Sequence, residues 1–341
     1  MKNILKNRNN PLFFTAIIFF TVIQVSCKRD PIDNPTYGQK TLELISIVDN
    51  NPNIKSMLLK SIDLARVVNP DKNTNPAQTL DEYYEFVTWA ETCMPWSILP
   101  KTPYTSLYDK IDQSLDYFYF INDQPLTELE GLGLYNNSLQ YVAPYKDWLV
   151  SFNKAWGLYL DKPESWKDEY YQLALTDNKF GLKAGWYEDP SNVQDYHRYH
   201  FPVGGVVKEI RNIAEQDAAG GITTWNPTVQ RYMLDPITVA GWQSIETRGC
   251  VIIDMEVYGL VAILPIGMSQ ICSVKFENNI HAGTRVKKGD MLGCFLFGGS
   301  DIVMVFQSKA GFALEPANGG SGQSYQHILM GEKYGVLTGL N

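Results

Sequence analysis

Cysteine is scarce in this chain. There are five in 341 residues, and no two are spaced as Cys-x-x-Cys. That excludes a zinc ribbon or finger and the disulfide density of small secreted scaffolds. Beyond Cys27 there are Cys93, Cys250, Cys272 and Cys294; export would permit a disulfide, but the last three sit beside strand-like runs, where a buried free thiol is expected. Positive charge is also short. Twenty-nine Lys and Arg face 37 Asp and Glu, a formal net charge of −8. Such a body is neither a nucleic-acid binder nor drawn by charge to an anionic lipid surface. No apolar run reaches the ~20 residues of a membrane-spanning helix. What is present is 45% apolar and 19% charged residues, ordinary values for a globular chain with a core, and an aromatic content of 13%.

The apolar run that does occur, Leu12 to Val25, follows a positive stretch carrying Lys2, Lys6 and Arg8 and precedes Ser26 and Cys27. This is the grammar of a secretory signal. The four residues QVSC resemble a bacterial lipobox, so a lipidated Cys27 is the expected mature N-terminus; the alternatives are a plain signal peptide or an uncleaved anchor. Removing residues 1–26 takes away three positive charges and no acids, moving the net charge from −8 to −11. The expected address is a membrane-anchored lipoprotein outside the cytoplasm, in a periplasm or on a cell surface.

Residues 27–52, rich in Asn, Pro and Asp, read as a tether. From 53 to about 190 the pattern is helical. IKSMLLKSIDLARVV and YTSLYDKIDQSLDYFYFI repeat apolar residues at three- and four-residue spacing, and YKDWLVSFNKAWGLYL aligns Trp148, Phe152, Trp156 and Tyr159 on one face. Such a stripe is read as core. DKPESW breaks and restarts the helix. From 195 to 341 the runs become short, β-branched and punctuated by Gly and Pro, as in GCVIIDMEV and GLVAILPIG. The expected class is α+β, a helical N-terminal region followed by an antiparallel β-rich catalytic domain. HAGTRVKKGDMLGCF reads as a tight turn of a small barrel.

Two stretches carry the chemistry. In DYHRYHFPVGG, His197 and His200 lie three apart. In FGGSDIV, two glycines and a serine interrupt a strand-like run, where glycine needs a reason. The His pair alone reads either as structural histidines or as a metal pair; Pro202 argues against a continuing helix and no third ligand is evident, so no metal is expected. Together, DYHRYHFPVGGVVKEI, RGCVIIDMEVYGLVAILPIGMSQICSV and VKKGDMLGCFLFGGSDIVMVF resemble, in order and spacing, the phosphatidylserine decarboxylase family, in a branch with YHRYH and GGSD.

The resemblance implies that the bond between Gly299 and Ser300 breaks by itself and that Ser300 becomes a pyruvoyl group. The hydroxyl of Ser300 would attack the carbonyl of Gly299, and such a nucleophile needs a base. By resemblance His200 is that base, with His197 close behind it. Gly298 and Gly299 would permit the close backbone approach. The pyruvoyl group would act as an electron sink for decarboxylation of an amine substrate. The substrate implied is phosphatidylserine, giving phosphatidylethanolamine, or else a free amino acid. The two cleavage products would stay associated. Asp301 stands where the family more often has threonine; it would orient a histidine or cap the following strand.

The resemblance also departs from its pattern. In the family, a segment resembling WYEDPSN is followed by a long insert whose aspartate completes an Asp-His-Ser triad. Here Asn192 is followed by Val193 and Gln194 and then directly by DYHRYH. Losing such an aspartate can cost orders of magnitude in rate. Asp177, Asp189 and Asp195 are nearby replacements, or else turn and cap residues. The non-enzymatic alternative is a surface lipoprotein that keeps the fold and binds a ligand without cleaving itself.

Overall fold

A computed structural model describes residues 36–93, 107–132, 136–160, 162–176, 198–217, 220–236, 241–267, 274–295, 301–315 and 331–339. Helices fill the first half of the described chain. Helix α1 (Gln39–Asn50) ends where the amide of Asn51 donates to the carbonyl of Ile47 (2.7 Å), and Pro52 opens α2 (Pro52–Val68). Proline suits that first position because its missing N–H would be unpaired there anyway. Thr79 caps α3 (Leu80–Ala90) by accepting from the N–H of Glu82 (3.2 Å). Asp81 and Glu82 complement the positive end of the helix. Helices α4 (Leu107–Phe120) and α5 (Tyr145–Leu160) follow, then a single 3-10 turn, Pro163–Ser165, and α6 (Asp168–Thr176).

The expected tether runs too far. From Gln39 the chain is already helical, because Thr41, Leu44 and Val48 fall on one face and are buried in the helical core. The aromatic stripe of α5 is core as expected. Trp148, Phe152 and Trp156 are buried, Phe152 stacks on Phe118 with ring centroids 5.1 Å apart, and Trp156 Nε1 donates to the carbonyl of Cys93 (3.0 Å).

The second half is antiparallel β structure, so the fold is α+β. Strands β1 (Arg198–His200), β9 (Met291–Phe295) and β7 (Val274–Phe276) form a three-stranded sheet with β9 in the middle. A five-stranded sheet has the order β10-β6-β5-β2-β8, from β10 (Ile302–Phe306) through β6 (Leu260–Pro265), β5 (Arg248–Asp254) and β2 (Gly205–Ile213) to β8 (Arg285–Val286). Val207, Val251, Ile253, Val261 and Ile263 alternate inward from it to form a second core with Leu292 and Phe295. A hairpin, β11 (Phe312–Leu314) with β12 (Gly335–Leu337), lies against β10 through the stacked rings of Phe306 and Phe312 (4.3 Å).

The remaining hairpin, β3 (Gly221–Asn226) with β4 (Arg231–Pro236), joins the helices instead. Tyr232 is 1% exposed and belongs to the helical core, with its ring 4.9 Å from Phe120 and 5.6 Å from Tyr117. The side chain of Gln113 accepts from the Tyr232 N–H (2.7 Å) and donates to the Tyr232 carbonyl (2.9 Å), pairing with β4 as another strand would. Arg231 bridges Asp109 (3.1 Å) and Asp112 (2.9 Å) on α4.

Candidate functional site

Of the residues singled out from the sequence, His200 and Asp301 lie among the described residues; Ser300, Gly299, His197 and Cys27 lie outside them, as do Asp177, Asp189 and Asp195. Strand β1 alternates, with Arg198 exposed, Tyr199 buried and His200 between the two. Arg198 lies opposite Cys294 and Tyr199 opposite Gly293. The register then shifts, and His200 lies opposite Met291. The histidine therefore lies opposite the start of β9, and Arg198 lies near its end at Phe295.

Tyr199 holds this arrangement. Its hydroxyl donates to the carbonyl of Lys275 on β7 (2.7 Å), and its ring packs edge-on against Phe295 (5.1 Å). Burial pushes its phenol well above the usual range, so it stays a donor at any working pH. The ring and β7 come so close to Gly293 that a Cβ there would sit 2.1 Å from the Lys275 carbonyl. Only glycine fits.

His200 passes into a turn that interlocks with the one predicted at KKGD. The Phe201 N–H donates to the Asp290 carbonyl (2.8 Å), and the Gly289 N–H donates to the Phe201 carbonyl (2.8 Å). Asp290 closes its own turn by accepting from the Lys287 N–H (2.7 Å). A Cβ on Gly205, at the start of β2, would meet the Asp254 carbonyl at 2.3 Å. Gly205 and Gly293 thus serve close backbone packing, whereas Gly289 has open space around it and supplies the positive φ (89°) of its turn.

Asp301 starts the run into β10. Its carbonyl accepts from the Ile266 N–H (2.9 Å), which extends the β10–β6 ladder by one bond. Its carboxylate accepts from Gln243 Nε2 (3.2 Å). The sequence suggested a histidine or the next strand as its partner; the amide of Gln243, 58 positions earlier, is what the structure supplies. Nothing in the local sequence marks Gln243, because the pairing depends on where β6 delivers Ile266. Residues 296–300 therefore connect the middle strand of one sheet to the edge strand of the other, with the junction glycines and serine lying on that connection.

The described thiols of Cys93, Cys250 and Cys294 are free. Burial raises Cys93 to about 12 and raises Cys250 as well, so neither is an activated nucleophile. Among the described residues, no group of three His, Cys, Asp or Glu could hold a metal ion, and no helix is long and apolar enough to cross a membrane.

Residues 191–336 match the sequence model of the family described as phosphatidylserine decarboxylase. The match begins directly ahead of DYHRYH and takes in β1 through most of β12. The chain is 36% identical over 117 residues to phosphatidylserine decarboxylase proenzyme 2 of Komagataella phaffii, covering 34% of this chain and 10% of that protein. It is 31% identical over 115 residues to the phosphatidylserine decarboxylase proenzyme of Chlamydia trachomatis, covering 34% of each. With that of Fusobacterium nucleatum it shares 28% identity over 142 residues, 41% of this chain and 43% of the other. The chain thus spans well under two thirds of the length of these relatives.

Proposed function

We propose, from the match of residues 191–336 to the phosphatidylserine decarboxylase family, that this chain is a member of it and a proenzyme that cuts itself between Gly299 and Ser300 to become a pyruvoyl-dependent decarboxylase. What supports the reading is that the residues FGGSD fall within the matched segment, between β9 and β10 in the sequence. Strand β9 pairs with the strand bearing His200, and Asp301 is held on the far side of the serine by its carbonyl and its carboxylate.

In this reading the hydroxyl of Ser300 attacks the carbonyl of Gly299, and the amide becomes an ester. Loss of the Ser300 Cα proton then expels the Gly299 carboxylate and leaves dehydroalanine. Water converts that to a pyruvoyl end, releasing ammonia. When formed, the pyruvoyl group supplies an electron sink for the electrons left when a substrate amine loses CO2. His200 takes the hydroxyl proton and His197 assists, as the family pattern implies. Interlocking of the HFPVGG and KKGD turns keeps His200 in one place, which such a proton transfer requires. The two products stay together because residues 302–306 remain laddered to β6, and Gln307 exchanges hydrogen bonds with Leu260 through its N–H (2.9 Å) and its side-chain oxygen (2.8 Å).

The substrate of this reading is phosphatidylserine, and a lipid on Cys27 would hold the enzyme at a membrane surface outside the cytoplasm. The test is a denaturing gel and intact mass of the purified chain beside Ser300→Ala. The parent is expected to yield a chain ending at Gly299 and a carbonyl-reactive fragment spanning 300–341, while the variant stays whole. Release of CO2 from phosphatidylserine vesicles but not from free amino acids then fixes the substrate class. An intact parent chain after prolonged incubation overturns the enzymatic reading and leaves a non-cleaving binding protein.

A further inference from the structure

A continuous run of hydrogen bonds leads from the helices to the residue that follows Ser300. It begins at Gln140, in the 3-10 turn Leu139–Tyr141 ahead of α5, whose carbonyl accepts from Gln216 Nε2 (2.7 Å). Gln216 is 7% exposed, and its backbone is sandwiched by the segment 241–247. The Gln216 N–H donates to the Ile245 carbonyl (2.9 Å), and the Thr247 N–H donates to the Gln216 carbonyl (2.7 Å). This is a short parallel pairing, with Gln216 beside Glu246. Thr247 passes the connection on, because its carbonyl accepts from the Gly267 N–H (2.7 Å). The neighbouring Ile266, itself fully buried, donates to the Asp301 carbonyl (2.9 Å). The same segment reaches Asp301 a second time, through Gln243 and the carboxylate (3.2 Å).

We infer that Gln216 and Gln243 are positioning residues for the cleavage junction. They strap Asp301 to the helical layer, so that the serine before it is set for attack only when the helices are in place. The inference rests on the proposed self-cleavage for its consequence and on the bonds above for its geometry. Buried backbone groups pair almost without exception, so the links through Gln216 and Thr247 cannot loosen without leaving a donor or acceptor unpaired, whereas the bond between Gln243 and Asp301 is exposed to water. Attack on a neighbouring carbonyl tolerates little misplacement, and a shift of about 1 Å can cost a hundredfold in rate. None of these residues need touch the reacting atoms.

Two arms on the full chain test the strap. In the first, conversion is followed by intact mass. Gln243→Ala, at a half-buried position outside both cores, is expected to slow conversion roughly tenfold with an unchanged unfolding midpoint. Gln243→Glu places two carboxylates together and should slow it as much at neutral pH. The double variant Gln243→Glu with Asp301→Asn exchanges donor and acceptor and should restore the rate. Leu58→Ala, in the helical core away from the strap, should lower the midpoint and leave conversion untouched in the folded protein. Conversion by Gln243→Ala at the parent rate, or failure of the exchanged pair to recover, overturns the inference.

The second arm reads amide hydrogen exchange in a Ser300→Ala chain, which needs no cleavage. Gln216→Leu is expected to speed exchange at Ile266 and Gly267 about tenfold beyond Leu58→Ala. Equal rates in the two variants overturn the strap. If the unmodified chain never converts, the proposed function is lost and this exchange result alone decides whether Asp301 is tied to the helices.

Discussion

The helical core packs Tyr83, Tyr117, Tyr145 and Trp156 with their polar atoms buried, whereas the core under the five-stranded sheet draws on Val207, Val251, Ile253, Val261 and Ile263. The first needs partners for what it buries. Tyr83 and Tyr145 share a hydrogen bond (2.7 Å), and Asp217 accepts from Tyr119 (3.0 Å) and Asn153 (2.6 Å). The second needs close backbone contact, as at Gly293 and Gly205. One half is specified by side-chain groups that must be satisfied, the other by the absence of side chains where strands meet. A site resting on the second half tolerates little change in the main chain, and a hydroxyl attack on a neighbouring carbonyl needs that stiffness.

The sharpest way to test the contrast is Phe118→Ala. Its ring contacts Phe86, Tyr119, Phe152 and Trp156, and its loss should cost about 3–5 kcal/mol in denaturant unfolding. Gly293→Ala should cost less, about 1–3 kcal/mol, but through overpacking: the new methyl meets the Lys275 carbonyl and the Tyr199 ring. Exchange protection lost first in β1, β7 and β9 would mark the damage as belonging to the sheet; uniform loss across both halves would erase the distinction.

The gentlest test is pH. Asp123 is 4% exposed, and desolvation pushes its carboxyl from 3.8 up to about 7, although it accepts from Gln140 and from the Thr223 N–H (2.7 Å). Asp217 and Asp116 lie near enough to act on it or be acted on by it, and burial raises Asp116 too. Because the folded state holds this proton more tightly than the unfolded one, the contribution to stability is full below about pH 4. It declines up to and through about pH 7 at no more than about 1.4 kcal/mol per unit. Asp123→Asn should flatten the unfolding midpoint over that range. A parent profile that rises from pH 4 to 7, with the variant parallel to it, would contradict the assignment.

Sequence periodicity showed α2, α4 and α5 because each carries an apolar stripe longer than three turns. It missed α1, where Leu44 and Val48 are buried but Leu42, Ile45 and Ile47 spread apolar side chains to other faces and blur the stripe. The glycine-rich turns around His200 were legible as turns, since glycine has few other uses there. Their interlocking was not, because it joins residues almost ninety positions apart. Gln216 and Gln243 carried no signal at all. A glutamine gains meaning only from the carbonyl or carboxylate it faces, and folding sets that. The departure from the family pattern was visible as a shortened text between Asn192 and Asp195, and the aspartates weighed as substitutes, Asp177, Asp189 and Asp195, lie outside the described residues.

The β3–β4 hairpin has a consequence for synthesis. Tyr232 fills the helical core from a position more than seventy residues beyond the end of α5, its hydroxyl donating to the Thr74 carbonyl (2.7 Å) and accepting from Asn69 (2.9 Å). While the chain is leaving the ribosome, the helices emerge first, and Tyr117 and Phe120 lack their covering ring until the hairpin follows. The nascent helical half is therefore unfinished until the chain has been translated past Pro236, and a product stopped before residue 221 would present a bare aromatic face to whatever chaperone meets it.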